Sequence, residues 1–145
     1  MTGSTDVDKE LARLPLARVQ DILVARLVVR EEAARMGFAG KPLTQIATSV
    51  SEMARNVIQH ARAAGQLRIF HLTRGDRVGI MIQVEDEGVG IPSVQEVMAG
   101  SMPGAGIPGC RKLMDEFSLQ SSRGSGTQVS MVKWTGNQNG NPQQL

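Results

Sequence analysis

The stretch that most constrains this chain is Val78-Gly79-Ile80-Met81-Ile82-Gln83-Val84, followed by Glu85-Asp86-Glu87-Gly88-Val89-Gly90. Apolar, β-branched residues at that density predict a strand. Where the strand stops, Asp86 sets a carboxylate beside two glycines, whose backbone can turn sharply and approach a ligand closely. Further on, Gly104-Ala105-Gly106-Ile107-Pro108-Gly109 opens a helical pattern over Ile107–Phe117, with Pro108 suited to its first turn. Unpaired N–H groups at a helix start favour phosphate. A carboxylate for a base and a glycine-rich helix start for phosphates together point to a nucleotide site.

Upstream, residues 1–14 are mostly polar and are expected to fray, with Leu11 and Leu14 as anchors. Pro15–Gln20 reads as a short strand. Asp21 reads as the N-cap of a helix running to Met36 and closed by Gly37. After the loop Gly40-Lys41-Pro42, a second helix extends to about Ala64, with Ile46, Val50, Met53, Val57 and Ala61 on one face. Glu52, Asn56 and His60, at i, i+4 and i+8, form a polar row beside that face. Leu67–Thr73 and Val78–Val84 make a hairpin around Arg74-Gly75-Asp76-Arg77. A short helix at Ser93–Ala99 precedes the second glycine set. Strands at Ser118–Ser122 and Thr127–Trp134 follow, flanking Arg123-Gly124-Ser125-Gly126. The order favours a two-layer α/β sandwich over a doubly wound sheet. We therefore expect a domain over 15–134 between a flexible segment, 1–14, and a disordered Asn/Gln/Gly-rich tail, 135–145.

Composition narrows the chemistry. At 145 residues with a net charge of +2, the chain lacks the concentrated basic face that nucleic-acid binding requires. Aromatic residues make up 3%, too few to stack bases, so no nucleic-acid partner is expected. No apolar run approaches the ~20 residues of a membrane span, and the first residues do not read as a signal peptide. One cysteine, Cys110, excludes an intramolecular disulfide and a cysteine-rich metal site, and a reduced, cytoplasmic setting follows as the expectation. Cys110 reads as a small core filler.

Taken singly, the motifs say little. Gly104-x-Gly106-x-x-Gly109 matches the dinucleotide fingerprint in letters, but that fingerprint must follow a strand directly, and Ala99-Gly100-Ser101-Met102-Pro103 precedes it here. A P-loop would need Lys-Ser/Thr where Cys110-Arg111 stands. Asp86-Glu87-Gly88 alone is equally a strand-ending turn. Glu52 and Asn56 alone are a solvated helix face, and Gly126-Thr127 alone is a turn into a strand.

In order, however, Glu52-x-x-x-Asn56 on a helix, Asp86-x-Gly88-x-Gly90 after a strand, Gly104-x-Gly106 before a helix and Gly126-Thr127 opening a strand resemble the N, G1, G2 and G3 boxes of the GHKL superfamily. That superfamily includes gyrase-type ATPases, histidine kinases and anti-sigma serine kinases. Ser51-Glu52-Met53-Ala54-Arg55-Asn56, Gly104–Gly109 and Arg111-Lys112-Leu113-Met114-Asp115-Glu116-Phe117 are most similar to the RsbT-like switch kinases of bacterial stressosomes.

The resemblance implies the Bergerat fold, a mixed sheet with helices on one face, and a serine/threonine kinase using ATP and Mg²⁺. Asp86 would accept the adenine amino group, Gly88 and Gly90 would pass close to the base, and Thr127 would lie near it through water. Asn56 would offer its oxygen to Mg²⁺, and Glu52 would orient or deprotonate the attacking hydroxyl. Gly104, Gly106 and Gly109 would hold phosphates at the helix start. The implied substrate is a STAS-domain protein, and the implied downstream partner is a PP2C-type phosphatase. The segment Ala99–Pro103 is shorter than the family's usual Thr/Ser-Gly-Gly-rich lid, which implies weaker closure over the nucleotide. An anti-sigma kinase acting on a sigma factor directly, and a binding switch with little catalysis, are the alternatives.

Overall fold

The structure, a computed structural model, describes residues 5–61, 64–88, 106–121, 124 and 126–136. The expectations for Gly90, Gly104, the helix at Ser93–Ala99, the lid and the tail beyond 136 lie outside these residues.

Five strands form one sheet in the order β1-β2-β3-β5-β4: β1 (Thr5–Leu16), β2 (Gly65–Arg74), β3 (Arg77–Asp86), β4 (Glu116–Ser121) and β5 (Thr127–Trp134). Three helices accompany it: α1 (Gln20–Arg35), α2 (Gly40–Asn56), which continues as a π-type turn over Val57–Ala61, and α3 (Gly106–Leu113). The expected two-layer α/β architecture is what the chain forms. Its ladders are all antiparallel among the described residues, where a mixed sheet is expected.

Alternation along the strands sorts side chains between the two faces. Leu67, Ile69, Ile80, Ile82, Val84, Val129 and Met131 turn inward and are fully or almost fully buried with Ile46, Val50, Met53 and Val57 of α2. The predicted apolar face of the second helix is thus the layer contact. On the outer face, Phe70, Met81 and Val132 stand in one cross-strand row, and Leu72, Gly79 and Trp134 in the next. Arginines cover this second cluster. Arg68 stacks 4.8 Å from the Phe70 ring, and Arg74 and Arg77 lie 4.6 and 4.7 Å from that of Trp134.

Five local expectations change. Residues 5–14 are not frayed but belong to β1, paired with β2 from Thr5↔Arg74 to Leu16↔Gly65. Asp8 holds His71 at 2.7 Å and Thr73 at 3.2 Å, and Glu10 binds Arg68 at 2.8 Å. Hydrogen bonds from Arg13 and Arg68 pull the Glu10 carboxyl down to about 2. These partners lie 58 to 65 residues away, out of reach of a local pattern. Pro15 and Leu16 close this strand, and α1 begins at Gln20. Asp21 is therefore inside the first turn rather than at the N-cap. Its Oδ2 reaches back to accept from the Ala17 and Arg18 amides at 2.8 and 2.9 Å, which lowers its pKa.

At the other end of α1, Gly37 (φ +104°) donates to Ala34 and Phe38 donates to Ala33, a Schellman closure that buries Phe38. In α2, the π-type turn starts directly after Asn56, so the α-helical phase that relates Glu52 to Asn56 does not carry on to His60. Helix α3 stops at Leu113 instead of reaching Phe117. Lys133 Nζ donates to the Leu113 carbonyl at 2.6 Å, Asp115 N–H binds Val132 O, and the chain is drawn into β4.

Trp134 lies against the bare Gly79 backbone, where an added Cβ would sit 2.6 Å from the ring. That ring is held by two arginines and by Glu116, which accepts from its indole N–H at 2.8 Å. Gly79→Ala is therefore expected to destabilise the fold by about 1–3 kcal/mol. Urea unfolding followed by the fluorescence of Trp134, the single tryptophan, measures this; an unchanged midpoint shows that the ring yields freely.

Candidate functional site

Asp86 ends β3 on the inward face, in register between Gly65 of β2 and Thr127 of β5. Its Oδ1 accepts the Gly88 amide at 2.8 Å, and the Thr127 amide also donates to the carboxylate. Burial outweighs these bonds and pushes its pKa up. Ser121 Oγ donates to the Gly126 carbonyl at 2.8 Å and lies 2.9 Å from Thr127 Oγ1. With the Ser121 proton spent on the carbonyl, Thr127 donates to Ser121 and keeps its lone pairs for an incoming donor. Asp86, Ser121, Gly126 and Thr127, with Glu85, Glu87, Gln120 and Gln128, line a cavity of about 510 Å³.

Two glycines make this junction possible: Gly126 of the Gly126-Thr127 pair, and Gly65, which reads in the sequence only as a helix end. A Cβ on Gly65 would lie 2.7 Å from Val57 and 2.8 Å from the Glu85 carbonyl, with Asp86 Cβ at 3.4 Å. Gly126 adopts φ +78°, and a Cβ there would strike the Asp86 carbonyl. The end of α2, at Asn56-Val57, thus approaches Asp86 across the width of a glycine.

Glu52 and Asn56 are half-buried on α2 and do not line the cavity as described. Glu52 Oε2 meets Arg55 Nη1 at 2.7 Å. Its charge also reaches Cys110 of α3, whose thiol is driven up to about 11, mainly by burial. Cys110 donates to the Ser49 carbonyl at 3.5 Å, so the first turns of α3 rest on the turn of α2 that leads into Glu52. Asn56 Nδ2 is buried with no hydrogen-bond partner among the described residues.

The glycines divide. The Gly88 amide serves Asp86 directly. Gly106 starts α3, and Gly109 is exposed with open space where a Cβ would be. Nothing steric in the described surroundings requires a glycine at 109. Gly90 and Gly104 lie outside the described residues. The structure therefore brings Asp86 together with Thr127, and sets Glu52 against α3.

Among the described residues, no three His, Cys, Asp or Glu side chains could hold a metal ion. A cation here would take oxygen from Asn56 and most of its shell from elsewhere, as Mg²⁺ on a polyphosphate does.

Residues 16–133 match the family described as a histidine kinase-like ATPase domain. The serine/threonine-protein kinase RsbT of Bacillus subtilis is 40% identical over 119 residues, covering 79% of this chain and 89% of that protein. An anti-sigma F factor from a Thermoanaerobacter species is 31% identical over 131 residues, covering 83% of this chain and 90% of the relative. The serine-protein kinase RsbW of Bacillus velezensis is 26% identical over 144 residues, covering 90% and 88%.

The raised pKa of Asp86 fixes a sign. The folded state holds this proton more tightly than the unfolded chain does. Its contribution is therefore most favourable below the ordinary carboxylate value and is lost as pH rises through the raised one. At neutral pH the buried charge is a cost. Asp86→Asn is expected to be more stable than the parent at pH ~7, with the gap closing towards pH ~4. Urea midpoints of both proteins across that range measure it; lower stability of the variant at neutral pH contradicts it.

Proposed function

The chain belongs to the histidine kinase-like ATPase domain family and is a protein serine/threonine kinase, and on that premise we propose that it transfers the γ-phosphoryl group of ATP, with Mg²⁺, to a STAS-domain protein. The observation that carries this reading is the approach of the Asn56-Val57 turn to Asp86 across Gly65, with Thr127 on the other side. Base recognition and phosphate chemistry thereby fall on adjoining elements.

Asp86 receives the adenine amino group on carboxylate oxygen not already committed to Gly88 and Thr127, and the Thr127 hydroxyl accepts at the same edge. Gly88 keeps the turn beside the base slim, and the family pattern assigns Gly90 to the same edge. Asn56 supplies its side-chain oxygen to Mg²⁺, which would neutralise charge on the phosphates. Gly104, Gly106 and Gly109 leave the start of α3 free to meet those phosphates, on a helix anchored to α2 through Cys110. Glu52, one turn before Asn56, takes the proton of the attacking serine or threonine hydroxyl. That oxygen bonds to the γ-phosphorus as the bond to the β–γ bridging oxygen breaks, and ADP leaves. Phosphoryl transfer asks mainly for positioning and charge neutralisation, so this small set suffices. Released from its STAS-domain partner, the kinase then activates a PP2C-type phosphatase by direct contact.

The test is transfer from γ-labelled ATP to a purified STAS-domain protein, alongside calorimetric ATP binding. Glu52→Gln is expected to lower the transfer rate at least ~100-fold with ATP affinity nearly unchanged. An equal loss of affinity would remove Glu52 from the base role. Asp86→Asn is expected to weaken ATP binding roughly tenfold, because the amino group loses a charged acceptor. The identity to anti-sigma F factors supports a second reading, in which the bound partner is a sigma factor. Stable capture of a purified sigma factor, with no transfer to STAS-domain proteins, selects that reading.

A further inference from the structure

Helix α1 is apolar on two opposite sides. Ala25, Val29 and Ala33 are buried against the core. Facing away, Val19 at the N-cap is 72% exposed, Leu23 60%, Leu27 57% and Val24 45%. Val19, Leu23 and Leu27 are four residues apart and form one stripe, which Ala34 extends by about two further turns. A surface helix ordinarily turns polar residues outward, and one that is apolar all round has something on both sides. The chain treats its other surplus apolar surface differently. On the outer sheet face, arginine side chains lie over Phe70 and Trp134, and nothing comparable covers α1.

Glu31 continues the stripe one turn beyond Leu27 and is paired with Arg35, so the unpaired charges along it, among the described residues, are cations. Arg26 and Arg30 lie along it and make no ion pair among the described residues. The carboxylates of the same helix are engaged elsewhere, Glu31 and Glu32 by Arg35 at 3.2 and 2.9 Å, and Asp21 by backbone amides. We propose that the outer face of α1 is a docking surface for an amphipathic helix of a partner protein, one that carries Glu or Asp beside its apolar stripe. Such a helix covers the leucines and supplies the carboxylates that Arg26 and Arg30 lack. A second copy of this chain fits less well, because it would bring two more arginines and no uncommitted carboxylate from α1. An anionic membrane also fits less well. Two cations without an ion pair among the described residues, and no aromatic residue on the helix, fall short of the basic, aromatic-rich faces that hold membrane-surface helices.

The surface lies apart from Asp86 and Glu52, so it is tested independently of the nucleotide reading. The probes are a synthetic amphipathic helix with leucines on one face and glutamates on its borders, and a twin with lysine for glutamate. Amide chemical shifts of the full chain are followed during titration. The glutamate probe is expected to move resonances across residues 19–34, and the lysine twin to leave them in place. Leu23→Asp with Leu27→Asp should weaken the glutamate probe roughly tenfold or more. Arg26→Glu with Arg30→Glu should transfer preference to the lysine twin. ATP affinity should be unchanged in both double variants, which shows that they are folded. Equal binding of the two probes, or shifts confined to other surfaces, overturns the proposal. So does a concentration-dependent dimer, or vesicle binding, that the leucine variants abolish.

Discussion

The site depends first on a steric allowance: at Gly65 there is no side chain between Val57 at the end of α2 and the strand that carries Asp86. Any Cβ there would meet Val57 at 2.7 Å and the Glu85 carbonyl at 2.8 Å, so α2 would have to lift from the sheet. The same helix forms the main contact between the layers through Ile46, Val50, Met53 and Val57. Protein interiors do not yield to such an insertion without displaced side chains or backbone. Gly126 makes the matching allowance on the other side of Asp86, at a backbone angle that favours glycine. Core packing and site geometry are therefore one arrangement. The face of α2 that buries the sheet also fixes how closely Val57 approaches the strand that carries Asp86.

Much of this was legible in the sequence because it is periodic. Ile46, Val50, Met53 and Val57 mark a helix face through their spacing alone, and Val78–Val84 marks a strand by composition. The hairpin at Gly75-Asp76 and β5 at Thr127–Trp134 follow from turn chemistry and alternation. What stayed hidden is non-local. The polar first half of β1 looks unstructured until His71, Thr73 and Arg68, far along the chain, supply its partners. The early stop of α3 depends on Lys133 and Val132. Gly65 reads as ordinary punctuation, because a glycine needed for close approach has the same letter as one that merely turns. The family resemblance carried Asp86, Asn56 and Glu52 further than spacing alone did, by supplying the order in which the motifs recur.

The electrostatics of Asp86 illustrate how such a site is held ready. Burial raises the carboxyl's pKa, and two backbone amides counter only part of that cost. An uncommitted acceptor in partial burial forms a stronger hydrogen bond to an arriving donor than one in water would. On the proposed reading, the stability that burial of this carboxylate costs returns as selectivity for a base that carries an amino group. Glu52 is treated differently. It stays half-exposed and paired with Arg55, within reach of a hydroxyl brought from outside. On the proposed reading, a partly buried recognition group and a reactive group left open to a macromolecular substrate suit a kinase whose nucleotide is small and whose substrate is another protein.

The two surfaces away from the core extend this contrast. The outer sheet face closes itself. Trp134 seats on Gly79, its ring is flanked by Arg74 and Arg77, and Glu116 takes both its indole proton and an ion pair with Arg74 at 3.0 Å. Each cation there has a ring or a carboxylate to meet, so that face offers little for a partner to gain. On α1 the leucines are exposed and Arg26 and Arg30 make no ion pair among the described residues, so a partner that supplies both apolar surface and negative charge gains on both counts. Since α1 packs directly on α2, an occupant of α1 bears on the helix that carries Glu52 and Asn56 without entering the cavity. Binding and chemistry can then be adjusted separately in a chain of 145 residues, which has room for only one core.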